Sequence, residues 1–454
     1  MGRAGLCRRG AAIAPRRVLD ALRHRAPTTL ATATILLATG GVAHAETPPP
    51  APAPPPQAAE ANEAEARASS TPRAGSDTEF DVVPIAGGDS DIGFGVGAVG
   101  ALTRFAGPPA RARDDRWAWR LEASAFLTFR FSPSFDVPYQ DHWLLLTLPD
   151  LVGGSVRLMA RAAFTKETDI LYFGVGNATP APPDYGAARY VYGRTHPIVE
   201  LRARTTIASH WYVTTATSFT MNWLDVPADG KLATDMRAGP PEVRALLGDA
   251  RTHGVAIFEE GVGWDDRDDE VVPRHGTWHE IALRLSPALG DAVPYGYEEV
   301  LAIARGYVPA GDRVVVALRG LADALIGQPP FYQLTEYDDT YAVGGTAGVR
   351  GVPAQRYYGK IKLIGNVEVR TDVARFRALD KPWGIALVAF FDAGRLWADW
   401  SSQPALDGTG LGLKWGTGVG VRVQQGRAFV VRGDVAWSPD ARPIGGYFAA
   451  GQAF

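Results

Sequence analysis

The chain has 454 residues with Gly 51, Pro 34, Trp 12, a single cysteine and a formal net charge of −3 at pH 7. Near-balanced charge without a clustered basic excess excludes nucleic acid as the expected partner, and one cysteine excludes a disulfide scaffold. The glycine, proline and tryptophan content is not that of an average soluble enzyme, and composition by itself leaves the class open.

At the N-terminus Arg3, Arg8, Arg9, Arg16, Arg17, Arg23 and Arg25 precede APTTLATATILLATGGVAHA, an apolar stretch ending in Ala43-His44-Ala45. Residues 1–45 read as a secretory signal cleaved after Ala45. Threonine and glycine dilute the run too far for a membrane anchor, and no later segment approaches ~18 continuous apolar residues. Cys7 lies before the apolar core and leaves with the signal, so the mature chain is expected to have no thiol for metal or nucleophilic chemistry. Residues 46–78 carry proline, alanine and charge with no core-forming pattern, and are expected to be an extended, disordered tether.

From 79 to 454 the signal is alternation at period two, with no recurring helical period. Lys360, Lys362, Asn366, Glu368 and Arg370 share one parity, whereas Ile361, Leu363, Val367 and Val369 share the other. Leu413, Trp415, Val419, Val421 and Val423 oppose Lys414, Arg422 and four glycines, and Phe429, Val431, Val435 and Trp437 oppose Arg432 and Asp434. Such two-faced strands also occur in secreted antiparallel sandwiches. Here many segments run to about ten residues or more and end in Trp, Tyr or Phe, which are the marks of a transmembrane β-barrel with lipid outside and water within.

Candidate strands, in chain order, fall near 79–86, 91–105, 116–131, 139–148, 155–166, 192–207, 210–225, 252–265, 276–288, 295–307, 312–325, 357–371, 383–394, 410–423, 427–437 and 444–454. The fold class is therefore all-β, a 16-stranded antiparallel barrel over residues 79–454, with both ends on the periplasmic side. Long outward connections are expected at 167–191, 226–251 and 326–356. The opposite connections are short, apart from 266–275 and 372–382.

Several motifs have a sharp and a plain reading. GVGAVG at 95–100 fits a phosphate-loop pattern, but nothing helical follows; its glycines are expected to face the bore while Ile92, Phe94 and Val96 face out. GDSDIG lacks the second glycine of a nucleophile elbow around Ser90. His275 and His279 stand four apart, yet on a strand His279 and Glu280 point to opposite faces. DDRDDE at 265–270 contains Arg267 and reads as a solvated turn rather than a cation site. No nucleophile, base and orienting group converge, so no enzyme and no cofactor are expected.

At GGTAGVRGVPAQRYYG (344–359), GNVEVR (365–370), FDAG (391–394) and the terminal GQAF, the chain resembles the bacterial surface antigen superfamily of outer-membrane assembly and translocation barrels, the BamA/TamA type. The likeness is clearest over about the last 110 residues. It rests on Val349-Arg350-Gly351 at the tip of the sixth extracellular loop and on Phe391, Asp392 and Gly394. It implies that the loop folds into the bore and that Arg350 meets Asp392. Parity agrees independently: with Trp383, Ile385, Leu387, Ala389 and Phe391 facing lipid, Asp392 must face inward, and Glu368 and Asp434 face the same bore from flanking strands. Val352-Pro353 stands where the family usually has an aromatic, a departure that Tyr357 and Tyr358 are expected to offset in part.

The resemblance also implies outer-membrane localisation and lipid contact. It marks Gly451 and Phe454 as a C-terminal signal read by the barrel-assembly machinery, and it implies an unfolded protein or a lipid as client. Relatives carry periplasmic POTRA domains, and the 33-residue tether, residues 46–78, has no pattern for one. A short first strand containing Pro84 and a last strand with Gly445, Gly446 and Gly451 are expected to make a weak seam able to open sideways. A passive channel and a surface protein acting through 167–191 and 226–251 remain alternatives.

Overall fold

The computed structural model describes residues 78–89, 93–105, 117–130, 135–182, 188–337, 340–341, 343–378, 381–425, 429–440 and 444–454. The signal cleavage after Ala45 and the tether up to residue 77 lie outside them. The barrel strands are β1 Thr78–Asp89, β2 Gly93–Phe105, β3 Trp117–Thr128, β4 Tyr139–Leu151, β5 Val156–Leu171, β6 Val191–Thr206, β7 Trp211–Asp225 and β8 His253–Asp265. The second half is β9 Gly276–Ser286, β10 Tyr297–Pro309, β11 Val314–Gly327, β12 Ile361–Ala378, β13 Lys381–Trp397, β14 Lys414–Gln425, β15 Phe429–Trp437 and β16 Gly445–Ala450. Among the described residues these sixteen strands form one antiparallel sheet whose order returns from β16 to β1.

The alternation sorts the side chains inside out relative to a water-soluble domain. On β12, Lys362, Asn366, Glu368 and Arg370 are buried while Leu363, Val367 and Val369 are exposed. On β13, Val388, Phe390 and Asp392 are buried while Leu387 and Phe391 are exposed. A secreted sandwich would bury the apolar set; apolar surface presented outward around a bore holding ions is what a bilayer requires. Aromatic pairs mark both ends of the wall. Trp211–Trp264 (centroids 5.3 Å apart) and Phe376–Trp383 (6.4 Å) lie at one end, Trp415–Trp437 (5.3 Å) at the other.

Four expectations need correction. β1 runs for 12 residues and pairs with β2 along its whole length, Pro84 facing Ala98, so the first strand is not short. The ladder also runs through 372–382: a bulge between Asp372 and Ala374 keeps Phe376 opposite Trp383, and the hairpin closes from Ala378 to Lys381. The 226–251 connection is no plain loop. It carries α1 Lys231–Ala238 and α2 Pro241–Leu247, whose Leu232, Val243, Leu246 and Leu247 pack with Tyr172, Tyr192, Phe331 and Tyr332 in a buried cluster. Finally, β16 stops at Ala450, where Gly451 takes φ +85° and donates its N–H to Val430 O (2.8 Å).

Candidate functional site

The connection 328–360 between β11 and β12 begins with a 3-10 turn, Phe331–Leu334, and a short ribbon pairing Glu336–Tyr337 with Thr340–Tyr341. Polar side chains of the wall then hold its backbone. Lys362 Nζ donates to Gln333 O (3.0 Å) and pairs with Asp323 (2.5 Å). Arg319 donates to Ala347 O, Asn366 Nδ2 to Gly348 O (2.8 Å), and Arg432 Nη2 to Thr346 Oγ1 (2.8 Å). Glycine-rich sequence has no stiffness of its own, so its course is set by these donors.

Arg350 stands at the end of this path, 1 % exposed. Its Nε and Nη2 grip the two oxygens of Asp392 at 2.7 and 3.0 Å, and its own backbone N–H adds a third bond to that carboxylate (3.1 Å). Nη1 reaches Glu368 at 2.6 Å and Asp434 at 3.2 Å, while the guanidinium carbon sits 3.5 Å from the centroid of the Phe390 ring. The fork geometry and the ring stacking both require arginine; lysine would supply a point charge with neither. Burial by itself would depress the Arg350 pKa, but hydrogen bonding and attraction from Asp392, then Glu368 and Asp434, outweigh it and hold the group above its ordinary value.

The neighbouring motif residues fit the same contact. Gly351 adopts φ +95°, and a Cβ there would meet the Trp437 backbone at 2.9 Å. Its N–H donates to Tyr447 Oη on β16 (2.7 Å). Val349 is fully buried, and a Cβ on Gly394 would approach Val349 Cγ2 to 3.1 Å. The two motifs are thus complementary surfaces: aspartate receives arginine, and glycine receives valine. Val352 and Tyr357 pack in one cluster with Leu301, Leu321, Ile364 and Leu396. Tyr358 donates to Leu171 O (2.8 Å) and lies edge-on to Tyr172 (5.1 Å).

Sequence reasoning had named Asp392, Glu368 and Asp434 but missed the other cations. Arg370 Nε binds Glu368 (2.8 Å), Arg422 binds Asp434 (2.5 Å) and Glu368 (3.1 Å), and Arg432 lies 3.4 Å from Asp434. Four guanidiniums therefore share three carboxylates, and Arg370 Nη1, Arg422 Nε and Arg432 Nε are left without an acceptor. The signal was present in the inward parity of Arg370, Arg422 and Arg432. Distances across strands were needed to turn it into a network. Removing one partner from such a buried group costs about 3–5 kcal/mol, because the remaining charges stay desolvated.

The other motifs settle into plain roles or fall outside view. Ser90 and Ile92 lie outside the described residues. In β2, Gly95 is buried and Val96 exposed, as the barrel parity requires. His279 is exposed on the outer parity of β9, whereas Glu280 accepts from Tyr212 Oη (2.6 Å). In the 265–270 turn, Asp265 binds Arg267 (2.8 Å), Asp268 accepts the Arg274 N–H (2.9 Å) and Asp269 accepts two further backbone N–H groups. Phe454 does not extend β16. Its ring is buried with Tyr307, Val315 and Ala317, and its backbone oxygen accepts from Arg370 (2.9 Å).

A cavity of about 70 Å³ remains on the β6–β10 side, lined by Arg202, Glu259, Arg284 and Glu299 among others. Inward charges, an inward-lying connection pinned by arginine and an apolar outer wall define a transmembrane β-barrel of the outer-membrane assembly and translocation class. The Omp85 superfamily domain matches residues 187–454, more than half of the chain, and the chain belongs to that superfamily. Among solved structures it is similar to BamA from Haemophilus ducreyi lacking POTRA domains 1–3, at 14% identity and TM-score 0.51 over 83% of this chain and 70% of that one. It is also similar to CdiB from Escherichia coli, at 14% identity and TM-score 0.52, covering 84% of this chain and 64% of that one. No curated protein sequence matches the chain.

Proposed function

We propose that this barrel is exported to the outer membrane and assists insertion or translocation of a protein or lipid client there, by parting sideways between β1 and β16. The observation that carries the reading is the poverty of that joint: β16 has 6 residues, and it registers with β1 at one pair, Asp89 with Tyr447. Among the described residues every other neighbouring pair of strands is held by a ladder of at least six pairs, so there the sheet has one place where parting breaks few backbone bonds. Tyr447 is also the residue that receives the Gly351 N–H. The arginine-held tip thus touches the last strand at the point of closure, and loop and seam move as linked parts.

The long connections have apolar residues committed to the buried cluster of α1, α2, Tyr172, Tyr192 and Phe331. This supports a covered outer mouth over a freely open pore, and a structural use of 226–251 over a docking role. The test is the double variant Asp89→Cys with Tyr447→Cys, compared with itself under oxidising and reducing conditions. Client insertion into reconstituted vesicles is expected to stop on oxidation and return on reduction. Equal insertion in both states, with the crosslink verified on a gel, would exclude sideways opening.

A further inference from the structure

The outer wall, which a barrel normally covers with large apolar residues, is hollowed over β9 to β13. Ala304, Gly320, Gly365 and Ala393 stand side by side on four successive strands, and Ala302 and Ala322 sit directly beside them. They floor a groove of about 680 Å³, within the ~300–1,000 Å³ typical of small-ligand sites. Trp397, Leu411 and Leu413 overhang one end. Glycine inside a strand forfeits packing and is placed where something else approaches the backbone closely; here a Cβ added at Gly320 or Gly365 would meet nothing within 4 Å.

The overhung end also holds a cation. Arg395 lines the groove on the outward parity of β13 and is 8 % exposed. It donates to the carbonyls of Gly410 and Leu411 and lies 4.9 Å from the Trp397 ring centroid. Its buried Nε finds no acceptor, and no carboxylate among the described residues pairs with it. A desolvated guanidinium without a counter-charge, at the aromatic edge of the bilayer-facing surface, is complementary to an anionic headgroup.

We propose that this groove is a specific site for one membrane lipid with a net-anionic, phosphate-bearing headgroup. One acyl chain lies along the glycine-alanine floor, and the phosphate is held at Arg395. A second copy of the chain is the poorer occupant. A two-fold contact apposes the same patch on both partners, so two hollows would face each other across a void. The site rests on the membrane-spanning barrel and is independent of sideways opening.

The test uses the full chain, purified in detergent, stripped of lipid, and titrated with phosphatidylglycerol or phosphatidylcholine of identical acyl chains under native mass spectrometry. The wild type is expected to retain one lipid, with a preference of about five-fold for phosphatidylglycerol, the scale of one arginine at a membrane surface. Gly320→Leu and Gly365→Leu are expected to lose the adduct of both lipids while keeping heat-modifiable gel migration. Arg395→Gln is expected to keep the adduct and lose the preference. Undiminished binding in the leucine variants would overturn the proposal, as would an unchanged preference in Arg395→Gln. A wild-type dimer converted to monomer by Gly365→Leu would overturn it in favour of a second copy.

Discussion

The wall from β11 to β15 and the joint between β16 and β1 are made from the same kind of alternating strand, yet they are held in opposite ways. β12 and β13 register from Ile361 opposite Trp397 down to Ala378 opposite Lys381, and the inner face of that region carries Arg350 with its three carboxylates. Among the described residues the joint has one registered pair. The charges that pin the loop are therefore placed on the fully laddered part of the sheet, and they hold the tip against the last strand beside the sparsely paired joint. Burying ions does not by itself stabilise a protein relative to an apolar core. What this network supplies is position, since a glycine-rich segment takes one course when donors on the wall hold its carbonyls at Gln333, Thr346, Ala347 and Gly348.

That contrast can be broken at its strong side first. Arg350→Ala leaves Asp392, Glu368 and Asp434 without their shared cation. It should cost about 3–5 kcal/mol, seen as a lower urea midpoint and loss of the heat-modifiable folded band; an unchanged midpoint would mean that the wall does not depend on the clasp. Arg350→Lys should recover only part of the loss, since the fork on Asp392 cannot be rebuilt.

The link between the two regions gives a smaller effect. Tyr447→Phe removes the hydroxyl that accepts the Gly351 N–H and leaves that buried donor unpaired, at about 1–3 kcal/mol. Amide exchange should quicken in β16 while β12 and β13 keep their protection. Acceleration spread evenly over the sheet would show that tip and seam are not specifically joined. Smaller still is Gly394→Ala, whose methyl would stand 3.1 Å from both Val349 Cγ2 and the Leu363 carbonyl oxygen. A cost of about 1 kcal/mol, the low end for overpacking, is expected; the Val349 share of it should be relieved by Val349→Ala in a double-mutant cycle, and strictly additive losses would place the two residues in separate environments.

The strands themselves were legible because a two-residue period forces side chains to opposite faces, and a bilayer outside with ions inside sharpens the contrast at every step. Asp392 is the clearest case: five apolar residues of its strand on one parity, Trp383, Ile385, Leu387, Ala389 and Phe391, left it no other direction. The cap was not legible. Leu232, Val243, Leu246 and Leu247 show no long helical stripe, because each helix is short and is held by Tyr172, Tyr192, Phe331 and Tyr332 from distant connections. The end of β16 was misread for a related reason: Gly451 permits both extended and left-handed backbone, and the burial of Phe454 against β10 and β11 goes with the turn.

By itself, then, the sequence determined an outward-apolar barrel and the inward aim of Glu368, Asp392 and Asp434, since those follow from local alternation in a given solvent. Tertiary structure alone decided that Arg370, Arg422 and Arg432 join the Arg350 cluster, that Tyr447 couples the loop tip to the seam, and that small residues from separate strands line up into one outer groove. Those are matters of register between strands far apart in the chain, and register is fixed by the closing of the whole sheet.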